Sequence, residues 1–116
     1  MAKTLIILND PPYGTERSYN GLRLAGSLSR RNGETVKVFL IGDAAACAKR
    51  GQNVPPGYYN VEAMLHKVIA HHGEIGVCGT CLDARGMTEA LVEGVQRSGL
   101  ETLTGWTQWA DKVIVF

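Results

Sequence analysis

Two cysteines separated by two residues are the groups in this chain most capable of chemistry. Cys78 and Cys81 follow directly on a pattern of apolar residues that is typical of a buried strand. A thiol at the amino end of a helix lies close to unpaired backbone N–H groups and to the positive end of the helix dipole, which favour the thiolate. The pattern therefore predicts that Cys78 is nucleophilic near neutral pH.

Each cysteine also has a simpler interpretation. Cys78 is either a functional thiol or a small buried hydrophobe at a strand end, and its position in a loop after the strand favours function. Cys81 either resolves an intermediate on Cys78 as a disulfide or packs beneath it. Cys47, in an alanine-rich segment, is interpreted as a helix packing residue. Arg85, seven residues after Cys78, either adds a positive field or is a solvated or interface arginine.

A zinc site is the main alternative use for these cysteines. His71, His72, Cys78 and Cys81 have the side chains of a four-ligand site. The histidines precede the predicted strand and the cysteines follow it, so at about 3.3 Å per residue they lie roughly 20 Å apart. No Walker, Rossmann glycine or Gly-x-Ser-x-Gly motif occurs in the sequence. We therefore expect neither a metal nor a cofactor.

Composition limits the remaining function classes. The chain has 116 residues, 45% of them apolar, which suits one compact core and is too short for two domains. A net charge of +1 without a Lys/Arg run gives no support for binding to nucleic acid or to an anionic membrane surface. No signal peptide or membrane-length apolar segment is recognisable, and an odd count of three cysteines favours reduced thiols. A cytoplasmic location is expected.

The elements that must position the thiols alternate between strands and helices. Strands are predicted over residues 4–8, 35–41, 75–78, 93–98 and 112–116. Helices are predicted over residues 15–31, with Thr15 as the N-cap, and over 44–50, 60–72, 80–85 and 100–110. This order indicates an α/β fold, with one mostly parallel sheet and helices on both faces.

Loops at the carboxyl ends of parallel strands form the ligand crevice in such folds. Three segments are expected there: residues 9–14 after the first strand, 42–43 after the second and 78–81 after the third. The helix before the third strand must run in the opposite direction, so the loop at residues 54–59 belongs to the same edge. The crevice is thus predicted to contain Cys78, Asp10, Tyr13 and either Tyr58 or Tyr59.

The segments at residues 9–14, 77–86 and 110–116 resemble the DsrE/DsrF-like family nearly end to end. The resemblance implies a single three-layer domain over residues 1–116, with a five-stranded sheet and a flavodoxin-like, DsrE-type topology. It also implies self-association, typically into trimers or hexamers, and a cysteine that carries sulfane sulfur. That cysteine corresponds to Cys78. With Cys78 and Cys81 as the reacting thiols, the residues expected to bind substrate are Asn9, Asp10, Tyr13, Tyr58, Tyr59, Gly79, Thr80 and Arg85.

Three functional hypotheses follow. The first is a sulfur carrier or sulfurtransferase-like protein that takes a persulfide sulfur from a donor protein onto Cys78 and passes it to an acceptor protein. The second is a thiol–disulfide redox protein that uses Cys78 and Cys81 without transferring sulfur. The third is a non-catalytic oligomeric binding subunit in which the cysteines only pack. A carrier needs Cys78 alone, a redox protein needs both thiols, and a binding subunit needs neither.

Overall fold

The architecture is an α/β fold with a five-stranded parallel sheet. A computed structural model of the protein describes residues 2–54 and 59–116. The strands are β1 (Ala2–Leu8), β2 (Glu34–Leu40), β3 (Glu74–Cys78), β4 (Val95–Ser98) and β5 (Lys112–Val115). The α-helices are α1 (Arg17–Ser29), α2 (Val61–Ala70), α3 (Gly79–Ala84) and α4 (Leu100–Trp109). The alternation predicted from the sequence is confirmed.

The strands lie in the order β4-β3-β2-β1-β5, and every neighbouring pair is parallel. The central strands β1, β2 and β3 are rich in apolar residues, interrupted in β2 by Lys37, because they are covered on both faces. Their register places the ends of β2 and β3 side by side, with Leu40 beside Val77. At the next pairing, Cys78 lies beside Ser98 of β4.

The two faces of the sheet are covered unequally. On one face α1, α2, α3 and a 3₁₀ helix, Gly42–Ala48, pack over the larger core. The other face carries a smaller core of Leu5, Phe39 and Trp106, to which α4 contributes. Trp106 meets the edge of Phe39 at a centroid distance of 6.0 Å. Cys78 packs against this smaller core, so α4 borders the thiol.

Some predicted helix boundaries are wrong. Thr15 is not the N-cap of α1, which begins at Arg17 after Glu16. The Thr15 hydroxyl donates instead to the carboxylate of Asp10, at 3.0 Å, within the preceding loop. The predicted helix at residues 44–50 is the 3₁₀ helix, and it begins two residues earlier. No helix in residues 2–54 or 59–116 is long and apolar enough to cross a membrane.

Candidate functional site

Cys78 is both the last residue of β3 and the N-cap of α3. Its extended backbone (φ −62°, ψ 114°) ends the strand, and its Sγ accepts a hydrogen bond from the Cys81 backbone N–H at 3.4 Å. A thiol replaces the oxygen that usually caps a helix at this position. The local sequence therefore aims the Cys78 sulfur at the backbone N–H groups of its own helix.

Two side chains add hydrogen bonds to the Cys78 sulfur. The Cys81 thiol donates to Cys78 Sγ at 2.7 Å, and Thr80 Oγ1 lies 3.3 Å away. Partial burial by itself raises the pKa of Cys78, but the hydrogen bonds from Cys81 and Thr80 outweigh it and the pKa is lowered. Cys78 is therefore the thiol of this pair that ionises first.

The pKa of Cys81 is shifted in the opposite direction to that of Cys78. Burial, and then the hydrogen bond it donates to Cys78, raise the pKa of Cys81. The backbone N–H of Gly42 donates to Cys81 Sγ at 3.2 Å. Gly42 has a φ of +61°, a conformation that favours glycine. The loop after β2 thus holds the sulfur of Cys81 while Cys81 remains a proton donor to Cys78.

Arg85 joins α3 to the loop after β2. Its guanidinium donates to Asp43 Oδ1 at 2.7 Å and to the Cys81 carbonyl oxygen at 3.0 Å. The hydrogen bond to Asp43 raises the pKa of Arg85, and the sulfurs of Cys81 and Cys78 add to the rise. Arg85 is therefore a partner of Asp43 that also contributes a positive field near the thiols.

Arg97 is a residue of the site that the sequence reasoning missed. It donates to Asp83 Oδ2 at 2.8 Å, and this bond, followed by the charge of Asp83 and then that of Cys78, raises the pKa of Arg97. A Cβ on Gly79 would lie 2.9 Å from the Arg97 Cζ, so a larger residue at this position would displace the guanidinium. The sequence predicted only that Arg97 lies in the fourth strand. Pairing of this strand with β3 places Arg97 beside Val77.

A cavity of about 400 Å³ opens beside Cys78. Its apolar wall consists of Phe39 and Ile41 from β2 and its end, and Leu100 and Leu103 from α4. Its polar lining consists of Cys78, Cys81, Thr80 and Ser98, with no Asp, Glu, Lys or Arg side chain. The cavity is therefore a small apolar space with the more acidic thiol at its wall.

Other residues expected in the crevice lie elsewhere. Tyr13 and Tyr59 line a second depression of about 380 Å³, which shares no lining residue with the cavity beside Cys78. Asp10 contacts Thr15 and Arg17. The reason is the strand order, since β2 separates the end of β1 from the end of β3.

Asn9 also lies away from the cavity lining, and its side-chain amide donates to the Phe116 carbonyl oxygen at 3.0 Å. Tyr58 lies outside the described residues. Gly79, Thr80 and Arg85 are next to the thiols. Substrate binding by any of these predicted residues stays a prediction.

The remaining candidates from the sequence are structural or solvent-facing. Cys47 is buried as expected, and burial raises its pKa to about 12. His71 and His72 are exposed at the end of α2. Within the part of the chain that the structure describes, no three His, Cys, Asp or Glu side chains cluster in a way that could hold a metal.

Comparison with known proteins places this arrangement among relatives of the same length. Residues 2–116 match a model of the DsrE/DsrF-like family. The Escherichia coli protein YchN is 39% identical over 118 residues, covering both chains fully, and its crystal structure superposes with a TM-score of 0.87 at 37% identity over the whole of both chains. An uncharacterised Methanopyrus kandleri protein is 38% identical over 112 residues, covering 96% of this chain and 91% of its own.

A more distant structure shows the fold alone. A protein of unknown function from Methanobacterium thermoautotrophicum has a TM-score of 0.74 at 13% identity over the whole of both chains. The five-stranded α/β arrangement thus occurs at sequence identities too low to carry a function.

Proposed function

This chain belongs to the DsrE/DsrF-like family, and on that premise we propose that it accepts sulfane sulfur on Cys78 as a persulfide and passes it to a partner protein. The observation that carries this proposal is the set of hydrogen bonds at Cys78 Sγ, from the Cys81 thiol at 2.7 Å and the Cys81 N–H at 3.4 Å. These bonds stabilise the thiolate, which is the form of cysteine that attacks sulfur.

The transfer step conserves sulfur and electrons. The Cys78 thiolate attacks the terminal sulfur of a donor persulfide, R–S–SH, and forms a new S–S bond. The S–S bond of the donor breaks, and its electron pair leaves with R–S⁻. The proton stays on the transferred sulfur, so Cys78 ends as Cys78–S–SH.

Release of the sulfur has two routes. An acceptor thiolate can attack the terminal sulfur of the Cys78 persulfide, which returns Cys78 as a thiolate. Alternatively, a deprotonated Cys81 attacks the inner sulfur, which forms a Cys78–Cys81 disulfide and expels hydrosulfide. The 2.7 Å separation of the two Sγ atoms makes the second route geometrically accessible.

Intact mass after exposure of the reduced protein to a persulfide donor tests the proposal. We expect the gain of one sulfur atom, mapped to Cys78 and absent in Cys78→Ser. Cys47→Ala is the matched control, because Cys47 is buried and its pKa is raised to about 12. An adduct that persists in Cys78→Ser, or no adduct in Cys81→Ser as well as in the wild type, contradicts the proposal.

A thiol–disulfide redox protein is the second candidate, and the short Sγ–Sγ distance is the observation that favours it. In this reaction an oxidised dithiol partner would exchange with Cys78, and Cys81 would then displace the partner thiol. The same mass experiment separates the two. In Cys81→Ser a sulfur carrier still gains one sulfur atom, whereas a redox protein gains none. In the wild type, a loss of two hydrogens without release of hydrosulfide supports redox exchange. If neither the persulfide donor nor an oxidised dithiol changes the mass of the protein, the non-catalytic binding subunit is supported.

We further propose that the chain self-associates as a trimer or hexamer, and that sulfur donor and acceptor proteins are its partners. Two apolar side chains of the edge strand β5, Val113 and Val115, are 43% and 63% exposed. Apolar exposure of this kind is typical of protein interfaces. Light scattering coupled to gel filtration tests the assembly, and a monomeric mass at micromolar concentration contradicts it.

A further inference from the structure

The size and lining of the cavity beside Cys78 indicate what kind of sulfur donor it can bind. Its volume of about 400 Å³ lies at the lower end of the range, about 300–1,000 Å³, that small-molecule sites occupy. Four apolar side chains, Phe39, Ile41, Leu100 and Leu103, form its wall. A group that enters this space is therefore removed from water against hydrocarbon.

The polar side chains of the cavity are already engaged, and its remaining polar groups belong to the start of α4, where the N-cap Gly99 provides no side-chain cap. Thr80 Oγ1 shares a hydrogen bond with Cys78 Sγ, and Ser98 Oγ donates to the Gln96 carbonyl oxygen at 3.0 Å. Apart from the Cys78 thiolate, the lining as far as the structure describes it contains no charged side chain. An anionic group inside the cavity would therefore gain no cationic side chain and would lie beside the negative charge of Cys78.

The nearby cations do not alter this conclusion. Arg85 and Arg97 both lie near the thiols, but neither lines the cavity. Each is hydrogen-bonded to a carboxylate, Arg85 to Asp43 at 2.7 Å and Arg97 to Asp83 at 2.8 Å. Their charges stabilise the thiolate environment from outside and are offset by these partners.

From this lining we infer that the sulfur donor for Cys78 is a small organic persulfide, R–S–SH, whose R group is apolar and uncharged and occupies the cavity. This inference rests on the proposed function and specifies its substrate class. The donor's terminal sulfur meets Cys78 Sγ while R packs against Phe39 and Leu103. After the S–S bond breaks, the apolar thiolate R–S⁻ leaves from the same space. Inorganic thiosulfate and donors with charged R groups are poor substrates by the same argument.

Alkylation of Cys78 measures the preference of the cavity without requiring sulfur transfer. Three iodoacetyl probes are compared on the reduced full chain: N-benzyl iodoacetamide, iodoacetamide and iodoacetate. Peptide mass mapping measures the rate at which each probe labels Cys78. This rate is divided by the rate at which the same probe reacts with a small free thiol. This ratio removes the intrinsic reactivity of the probe and leaves the effect of the site.

We expect the benzyl probe to exceed iodoacetate by about tenfold or more in this ratio, because the ring is buried while the carboxylate is desolvated. Iodoacetamide should fall between them. Leu100→Glu should abolish most of the benzyl preference over iodoacetamide, which is the uncharged reference probe. Leu100 is 72% exposed and begins α4, where an added acid suits the helix dipole, so the fold should tolerate this change. Thr104→Glu adds the same charge at an exposed position of α4 outside the cavity and should keep the preference.

The outcomes separate the two proposals. Equal ratios for the three probes, or a faster reaction with iodoacetate, overturn the apolar donor even if a sulfur adduct forms on Cys78. Equal loss of preference in Leu100→Glu and Thr104→Glu also overturns it. If the benzyl probe is preferred but benzyl persulfide gives no sulfur adduct, the apolar binding site is supported and the proposed sulfur transfer is contradicted. An adduct forming faster from benzyl persulfide than from glutathione persulfide supports both.

Discussion

Adding one methyl group at Gly76 tests how tightly α4 is seated on the sheet beside the thiols. A Cβ at Gly76 would lie 3.1 Å from Ser98 Oγ, 3.1 Å from Trp106 Cη2 and 3.2 Å from Phe39 Cδ2. Phe39 and Trp106 are buried against each other, so neither can retreat freely. The methyl group must therefore displace α4 or distort the strand pairing.

The size of the effect follows from two opposing contributions. Overpacking of a well-filled core costs about 1–3 kcal/mol. Replacing glycine with alanine restores about 0.4–1 kcal/mol by restricting the unfolded chain. We expect Gly76→Ala to lower the free energy of unfolding by about 1–2 kcal/mol, measured by urea denaturation with circular dichroism.

Gly105→Ala is the matched control, because the same methyl group on α4 meets no atom within 4 Å. In a helix this change should raise stability by up to about 1 kcal/mol. The two glycine-to-alanine variants should therefore differ in sign. Wild-type or higher stability in Gly76→Ala would refute the claim that α4 is closely packed at this position.

Three further changes test the site and its supports. Cys81→Ala should raise the pKa of Cys78, because a hydrogen-bond donor to the thiolate is lost, and Cys81→Ser should raise it less. The pH midpoint of iodoacetamide labelling at Cys78 measures this pKa in each protein. Equal midpoints in the wild type and the two variants contradict the assigned hydrogen bond. Gly79→Ala should displace the guanidinium of Arg97 and so raise the pKa of Cys78 in the same assay. Arg97→Gln should also raise it, because the positive charge is lost. A shift in only one of these variants argues against an electrostatic coupling between Arg97 and Cys78. Asn60→Ala removes the side-chain cap of α2 and should cost about 1 kcal/mol in urea unfolding, whereas Asn60→Ser should retain most of the stability; equal losses would exclude capping as the cause.

The sheet could be predicted from the sequence because its signals are local. Runs of β-branched and apolar residues ended by Gly, Asn and Pro mark β1, β2 and β3 without knowledge of their neighbours. The position of Cys78 at the end of a strand and the start of a helix followed from the same pattern. The burial of Cys47 was likewise readable from the alanines around it.

The remainder of the site depends on contacts that no local pattern encodes. Arg97 reaches Asp83 only because β4 pairs with β3 at the sheet edge. Tyr13 belongs to a different depression because β2 separates β1 from β3. Thr15 has the residue type of an N-cap and its hydroxyl accepts from the Arg17 N–H at 3.4 Å, but the helix begins at Arg17, with Glu16 at the N-cap position. Strand order accounts for the differences at Arg97 and Tyr13, and the position of the helix start accounts for the difference at Thr15.

The placement of both tryptophans on α4 gives the molecule an intrinsic optical reporter. Trp106 meets the edge of Phe39, and the ammonium group of Lys37 lies 4.3 Å from the centroid of the Trp109 ring. Phe39 also lines the cavity, and α4 supplies part of its wall. A molecule that enters the cavity and shifts α4 changes the surroundings of both indoles. Occupancy of the cavity should therefore be visible in the native fluorescence spectrum, without a label and without any reaction at sulfur.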